Sequence, residues 1–132
     1  MQTNNTLLSM DEVWDVLNNF ATEIPAELYK GLNGGIILLQ DTLPSPYSQN
    51  NDLYIMGTYH YEPTGLGRYI SIYYGSFAKI CAGTSVQHQK QALRKVLRHE
   101  LTHHIESLAG VRDLEVKDEK DIAQYKQGKP IK

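Results

Sequence analysis

Residues 86–110, VQHQKQALRKVLRHELTHHIESLAG, are a proline-free run in which Leu93, Val96, Leu97, Leu101, Ile105 and Leu108 recur at intervals of three and four. That spacing predicts an amphipathic helix. Gly110 is the residue type that takes up the left-handed conformation at a helix C-terminus, and it supplies the stop. At 1.5 Å per residue such a helix exceeds about 30 Å. It cannot bury an apolar stripe of that length by itself, so the rest of the chain must build a surface for it to lie on.

The same run places His99, Glu100 and His103 in the order H-E-x-x-H. Residues four apart on a helix stand on one face with Cβ atoms about 5–6 Å apart, close enough for two imidazoles to converge on one zinc ion at about 2.0–2.1 Å. Glu100 lies about 100° round the helix from His99, which suits a proton acceptor better than a third ligand. Zinc lowers the pKa of a water in its open position to about 7. Glu100 is then the general base that takes the proton of that water as it attacks a carbonyl, and returns it to the leaving amine.

At 132 residues, with 13 Lys and Arg against 15 Asp and Glu, the chain reads as one domain of residues 1–132 with a net charge of −2. That balance gives no reason to expect a nucleic-acid surface. One cysteine, Cys81, cannot form an internal disulfide, and no apolar run approaches membrane-spanning length. The cytoplasm is the expected compartment, with no membrane and no direct nucleic-acid partner.

Ser9 with Glu12 three residues on is a capping-box pattern opening a helix to about Ala21, with Val13, Val16, Leu17 and Phe20 inward and Trp14 at the edge. Residues 1–8 and 127–132 are expected to be flexible. Pro25 suits the first position of a short helix ending near Gly31. Residues 35–40, GIILLQ, fit a strand buried on both faces, and residues 41–52, with Pro44 and Pro46, a loop. Residues 53–60 and 68–74 read as strands of a hairpin turning at 62–67. The second alternates Ile70, Ile72 and Tyr74 with Tyr69, Ser71 and Tyr73, and as an edge strand it is expected to hold a substrate backbone. Tyr59, His60, Tyr61 and Tyr73 are candidates to steady an oxyanion. Residues 75–85 are expected to turn Phe77, Ile80 and Cys81 inward, with Cys81 structural. His88 lies three turns before His99 and reads as surface.

The third ligand is sought beyond His103. Glu106 shares the ligand face one turn on and is a candidate second-shell contact or substrate contact, as are His104 and Tyr73. If the chain turns at Gly110 and returns as a helix, about eight residues bring it back to the level of residue 101. That favours Asp118, then Glu115, then Asp113 as the oxygen ligand.

The run RHELTHHIESLAG, the stretch ISIYYGSF and Cys81 resemble the small bacterial zincin-like metallopeptidases, the minimal metallopeptidases. The resemblance covers the chain from about Ser9 onward. It implies a compact α+β zincin-like domain, with a small mixed or antiparallel sheet packed on the H-E-x-x-H helix and flanking helices. It also implies one Zn2+ per chain on His99 and His103, with Glu100 as base. The commoner pattern has a glycine three residues after the second histidine and an aspartate three further on, where this chain has Glu106 and Ala109. A displaced turn at Gly110 would pass the ligand role to Asp113, whereas a longer helix favours Asp118 or Glu115. The expected activity is zinc-dependent hydrolysis of a peptide or protein substrate in a shallow cleft. The alternatives are a non-catalytic zincin-fold binding or regulatory module, and a protease dedicated to one regulatory partner.

Overall fold

The computed structural model describes residues 5–47 and 53–110. Three helices and two small sheets make an α+β fold in the order α1 (Met10–Glu23), a 3-10 turn (Ala26–Tyr29), β1 (Gly35–Leu39), β2 (Leu43–Pro44), β3 (Tyr54–Ile55), β4 (Gly57–Glu62), β5 (Gly67–Tyr73), α2 (Tyr74–Cys81) and α3 (Val86–Leu108). Among the described residues no helix is long and apolar enough to cross a membrane.

The capping box forms at the head of α1. The Ser9 hydroxyl accepts from the Glu12 amide at 3.2 Å, and the Glu12 carboxylate accepts from the Ser9 amide at 2.9 Å. Val13, Leu17 and Phe20 are buried, while Trp14 is exposed. Of the terminal stretches expected to be flexible, residues 1–4 and 127–132 lie outside the described residues, and Leu8 packs into the core. Leu8 is buried because its amide donates to the Gln89 side chain at 2.8 Å and its carbonyl accepts from the Tyr74 hydroxyl at 2.6 Å. Pro25 caps the 3-10 turn from outside and does not occupy its first position.

The main sheet has the order β1-β5-β4, with β1 parallel and β4 antiparallel to β5. The expected hairpin is therefore present, and the sheet is mixed. The expected edge role of residues 68–74 is overturned: β5 is central, both its edges are paired, and β4 is the edge strand that runs beside α3. β1 is half-buried throughout and not covered on both faces. The expected strand 53–60 breaks at Met56, since β3 pairs with β2 in a separate ribbon inside the stretch read as loop.

Ile70 and Ile72 of β5 point into the core with Leu93, Leu97 and Leu101 of α3, Val13, Leu17 and Phe20 of α1, and Phe77 and Cys81 of α2. Ser71 lies on the opposite face, between Ile37 and Thr58 of the neighbouring strands. Ile80 is 44 % exposed and does not turn inward, because the short α2 presents only Ser76, Phe77 and Cys81 to the core. The apolar stripe of α3 also ends sooner than its sequence suggests: Ile105 is 39 % and Leu108 47 % exposed.

Candidate metal centre

α3 is capped by Ser85, whose hydroxyl accepts from the His88 amide at 3.1 Å. It is then held by its apolar side from Leu93 to Leu101. This orientation turns His99 to solvent while burying Glu100 and His103 to 5 % and 6 % exposure. The two imidazoles meet edge to face, centroids 4.8 Å apart, with Nε2 to Nε2 at 3.3 Å. Two nitrogens each about 2.0–2.1 Å from one ion at the tetrahedral angle stand about 3.3–3.4 Å apart. The pair thus already has the separation that zinc ligation requires, and it opens toward solvent through His99.

Glu100 is set by the close approach of β4. A Cβ on Gly57 would stand 2.8 Å from Val96 Cγ2, 3.1 Å from Ile72 Cδ1 and 3.4 Å from Glu100 Cγ. Only a residue without a side chain lets the edge strand lie this close to the helix that carries the glutamate. β4 thus passes directly against the turn of α3 that carries Glu100.

His104 is fully buried and has a structural task. Its Nε2 faces the Lys30 carbonyl at 2.9 Å, which can only accept, so that nitrogen carries the proton. Nδ1 then accepts from the Tyr59 hydroxyl at 2.9 Å, and Tyr59 accepts from Arg68 Nη1 at 3.2 Å. Burial pushes the His104 pKa below its ordinary value, the Arg68 charge adds to this, and the Lys30 hydrogen bond opposes it. The chain of bonds ties α3 to β4, to β5 and to the turn after residue 29.

The remaining candidates separate by face. The Tyr59 hydroxyl is committed to His104 and Arg68. Tyr61 lies under the Arg68 guanidinium, 4.0 Å from ring centroid to Cζ. His60 is on the other face of the sheet, stacked on Tyr69 with centroids 4.5 Å apart and bonded through Nε2 to Thr58 Oγ1 at 2.6 Å. Tyr73 bonds the same Thr58 oxygen at 3.0 Å, also away from α3. His60 and Tyr73 therefore do not join the metal face, which removes them as oxyanion or substrate groups. His88 is exposed. Cys81 is buried, and burial raises its thiol pKa, as befits a core residue. Glu106 is half-buried one turn beyond His103.

Asp113, Glu115 and Asp118 lie outside the described residues. Among the described residues no group of three His, Cys, Asp or Glu side chains could hold a metal ion. Grooves of about 410 Å3 beside Trp14 and Ile37, and of about 380 Å3 between Phe20, Leu28 and Ile105, contain no histidine. Two residues that sequence reasoning passed over carry the architecture. Gln89 pins the N-terminal segment through the Thr6 carbonyl at 3.1 Å, the Thr84 carbonyl at 3.0 Å and the Leu8 amide. Arg68 joins β5 to α3 through Ser107 Oγ.

No family model matches the chain, and no curated protein does. Among solved structures it is similar to a conserved hypothetical protein from Thermo thermophilus, with a TM-score of 0.65 and 26% identity over 77% of this chain and 98% of that one. That likeness supports the α+β fold and brings no activity with it.

Proposed function

We propose that the chain is a zinc-dependent peptidase of zincin-like fold. The observation that carries the reading is the 3.3 Å separation of His99 Nε2 and His103 Nε2 on a helix whose intervening Glu100 faces the sheet's edge strand. His99 and His103 would hold the ion, with Asp118, or else Glu115 or Asp113, as the oxygen donor. When bound, zinc supplies Lewis-acid polarisation of the scissile carbonyl and acidifies the attacking water.

The chain's own residues do the rest. Glu100, fixed against Gly57, accepts the water proton and delivers it to the departing amine nitrogen. β4 offers its free edge to an extended peptide, which would be held by main-chain hydrogen bonds as a further strand. His104 fixes the rotation of α3 by donating to Lys30 and accepting from Tyr59, so the faces of His103 and Glu100 stay aligned with that edge. His99, exposed, leaves the approach open, as a shallow cleft requires.

The test is hydrolysis of an unbiased peptide library by zinc-loaded protein and by Glu100→Gln. The reading expects cleavage by the first and a loss of about 10²–10⁴-fold in the second, the usual contribution of a general base. Cleavage that survives Glu100→Gln would refute the role given to that residue.

A further inference from the structure

The guanidinium of Arg68 occupies an unusual place. Its Nη1 donates to the Tyr59 hydroxyl at 3.2 Å and to Ser107 Oγ, and its Cζ lies 4.0 Å over the Tyr61 ring. All three partners are neutral. Among the described residues the one ion pair is Arg94 with Glu23 at 3.2 Å, so the half-buried Arg68 has no carboxylate within reach there. Glu106, next in sequence to its partner Ser107, does not pair with it. A partly desolvated cation is normally matched by an anion. Nε and Nη2 make no hydrogen bond among the described residues, and Tyr61, beneath the plane, is itself 55 % exposed.

The helix serves as a ruler for where this cation stands. Ser107 follows Glu100 by seven residues and His103 by four, so it shares their side of α3. At 1.5 Å per residue it lies about 10 Å beyond Glu100 and about 6 Å beyond His103 along the axis. β4 keeps pace: Gly57 meets Val96 and Glu100, Tyr59 meets His104, and Tyr61 pairs in register with Arg68 beside Ser107. An extended chain on the edge of β4, rising about 3.3 Å per residue, would reach Arg68 about three to four residues from the bond facing Glu100.

We infer that Arg68 is the specificity-determining residue of this cleft and binds a substrate carboxylate three to four residues from the scissile bond. The inference rests on the peptidase reading. A guanidinium presents its nitrogens in the planar fork that a carboxylate accepts. The Tyr59 and Ser107 hydroxyls and the Tyr61 ring hold that fork in one orientation at the end of the cleft. The carboxylate can come from a Glu or Asp side chain or from the C-terminus of the peptide.

The experiment uses the full chain, loaded with zinc, against peptide libraries with free and with amide-capped C-termini, beside Arg68→Gln. Wild type is expected to enrich Glu or Asp over Gln or Asn by about tenfold or more in kcat/KM at one position about three or four residues from the cut. Arg68→Gln is expected to lose that enrichment at unchanged zinc content, which a purely structural role would not produce. Enrichment in capped peptides identifies a side chain, and enrichment confined to free ends identifies the terminal carboxylate. Absence of acidic preference in wild type, or its persistence in Arg68→Gln, overturns the assignment. If wild type cuts nothing, the peptidase reading falls separately. The assignment is then read from the Arg68 Nε–Hε NMR resonance during titration with Ac-Ala-Glu-Ala-NH2, Ac-Ala-Gln-Ala-NH2 and uncapped Ac-Ala-Gln-Ala. A shift with a carboxylate-bearing peptide alone supports it, and no shift overturns it.

Discussion

Gly57→Ala tests whether the approach of the edge strand to α3 is as close as the account of Glu100 needs. The added methyl would stand 2.8 Å from Val96 Cγ2 and 3.1 Å from Ile72 Cδ1. Ile72 is fully buried in the central strand, so Val96 and the helix must yield. Overpacking of one methyl into a filled contact costs about 1–3 kcal/mol. With an unfolding entropy of about 2.1 cal/mol/K per residue near 60 °C, 132 residues lose about 3.6 °C of Tm per kcal/mol, so the fall should be about 4–11 °C. The assay is urea and thermal unfolding of wild type, Gly57→Ala, Val96→Ala and the double variant. Removing the Val96 methyls makes room for the new one, so the double variant should be more stable than the sum of the single costs by about 1 kcal/mol or more. A neutral Gly57→Ala, or strictly additive costs, would show that β4 does not press on α3 where Glu100 sits.

Further expectations follow from the other contacts. His104→Phe removes the donor to the Lys30 carbonyl and the acceptor of the Tyr59 hydroxyl proton, a loss of about 1–3 kcal/mol for each group left buried and unpaired, measurable by urea unfolding. No loss would mean that α3 is not tied down there. Burial lowers the His60 pKa, with the Glu62 charge opposing, so the neutral ring is favoured in the folded state. Its stabilisation is complete above the unfolded value of 6.5 and is lost as pH falls through the lower folded value. NMR titration should find His60 half-protonated below pH 6.5, and a value above it would contradict the buried, Thr58-bonded ring. Of Asp118→Asn, Glu115→Gln and Asp113→Asn, the first should weaken zinc binding by more than the roughly 10–100-fold of an outer-shell loss. An effect confined to Asp113 would place the ligand at the turn instead.

Local signals in the sequence translated directly into structure. Ser9 and Glu12 predicted their own capping box, the 62–67 turn predicted the β4–β5 hairpin, and the stripe through Leu93, Leu97 and Leu101 predicted α3. What was illegible depended on partners far along the chain. Alternation in 68–74 assigns its residues to two faces but cannot say whether the strand is central, because the parallel pairing with β1 joins segments more than thirty residues apart. The break at Met56 follows from β3 leaving for a ribbon with β2, which period-two patterning does not encode. Gln89 and His104 did carry a signal: both continue the three- and four-residue stripe that Leu93, Leu97 and Leu101 define, and a polar residue on such a stripe is buried with partners. The importance of Arg68 had no local mark, since it arises only where β5, β4 and the end of α3 meet.

The most direct measurement is the zinc content and affinity of purified wild type, His99→Ala, His103→Ala and Glu100→Gln, by elemental analysis and competition with a chelator. The account predicts one zinc per chain in wild type and in Glu100→Gln, and its loss in either histidine variant. A folded wild type that takes up no zinc after loading, or histidine variants that bind it as well, would contradict the claim that His99 and His103 form a metal centre.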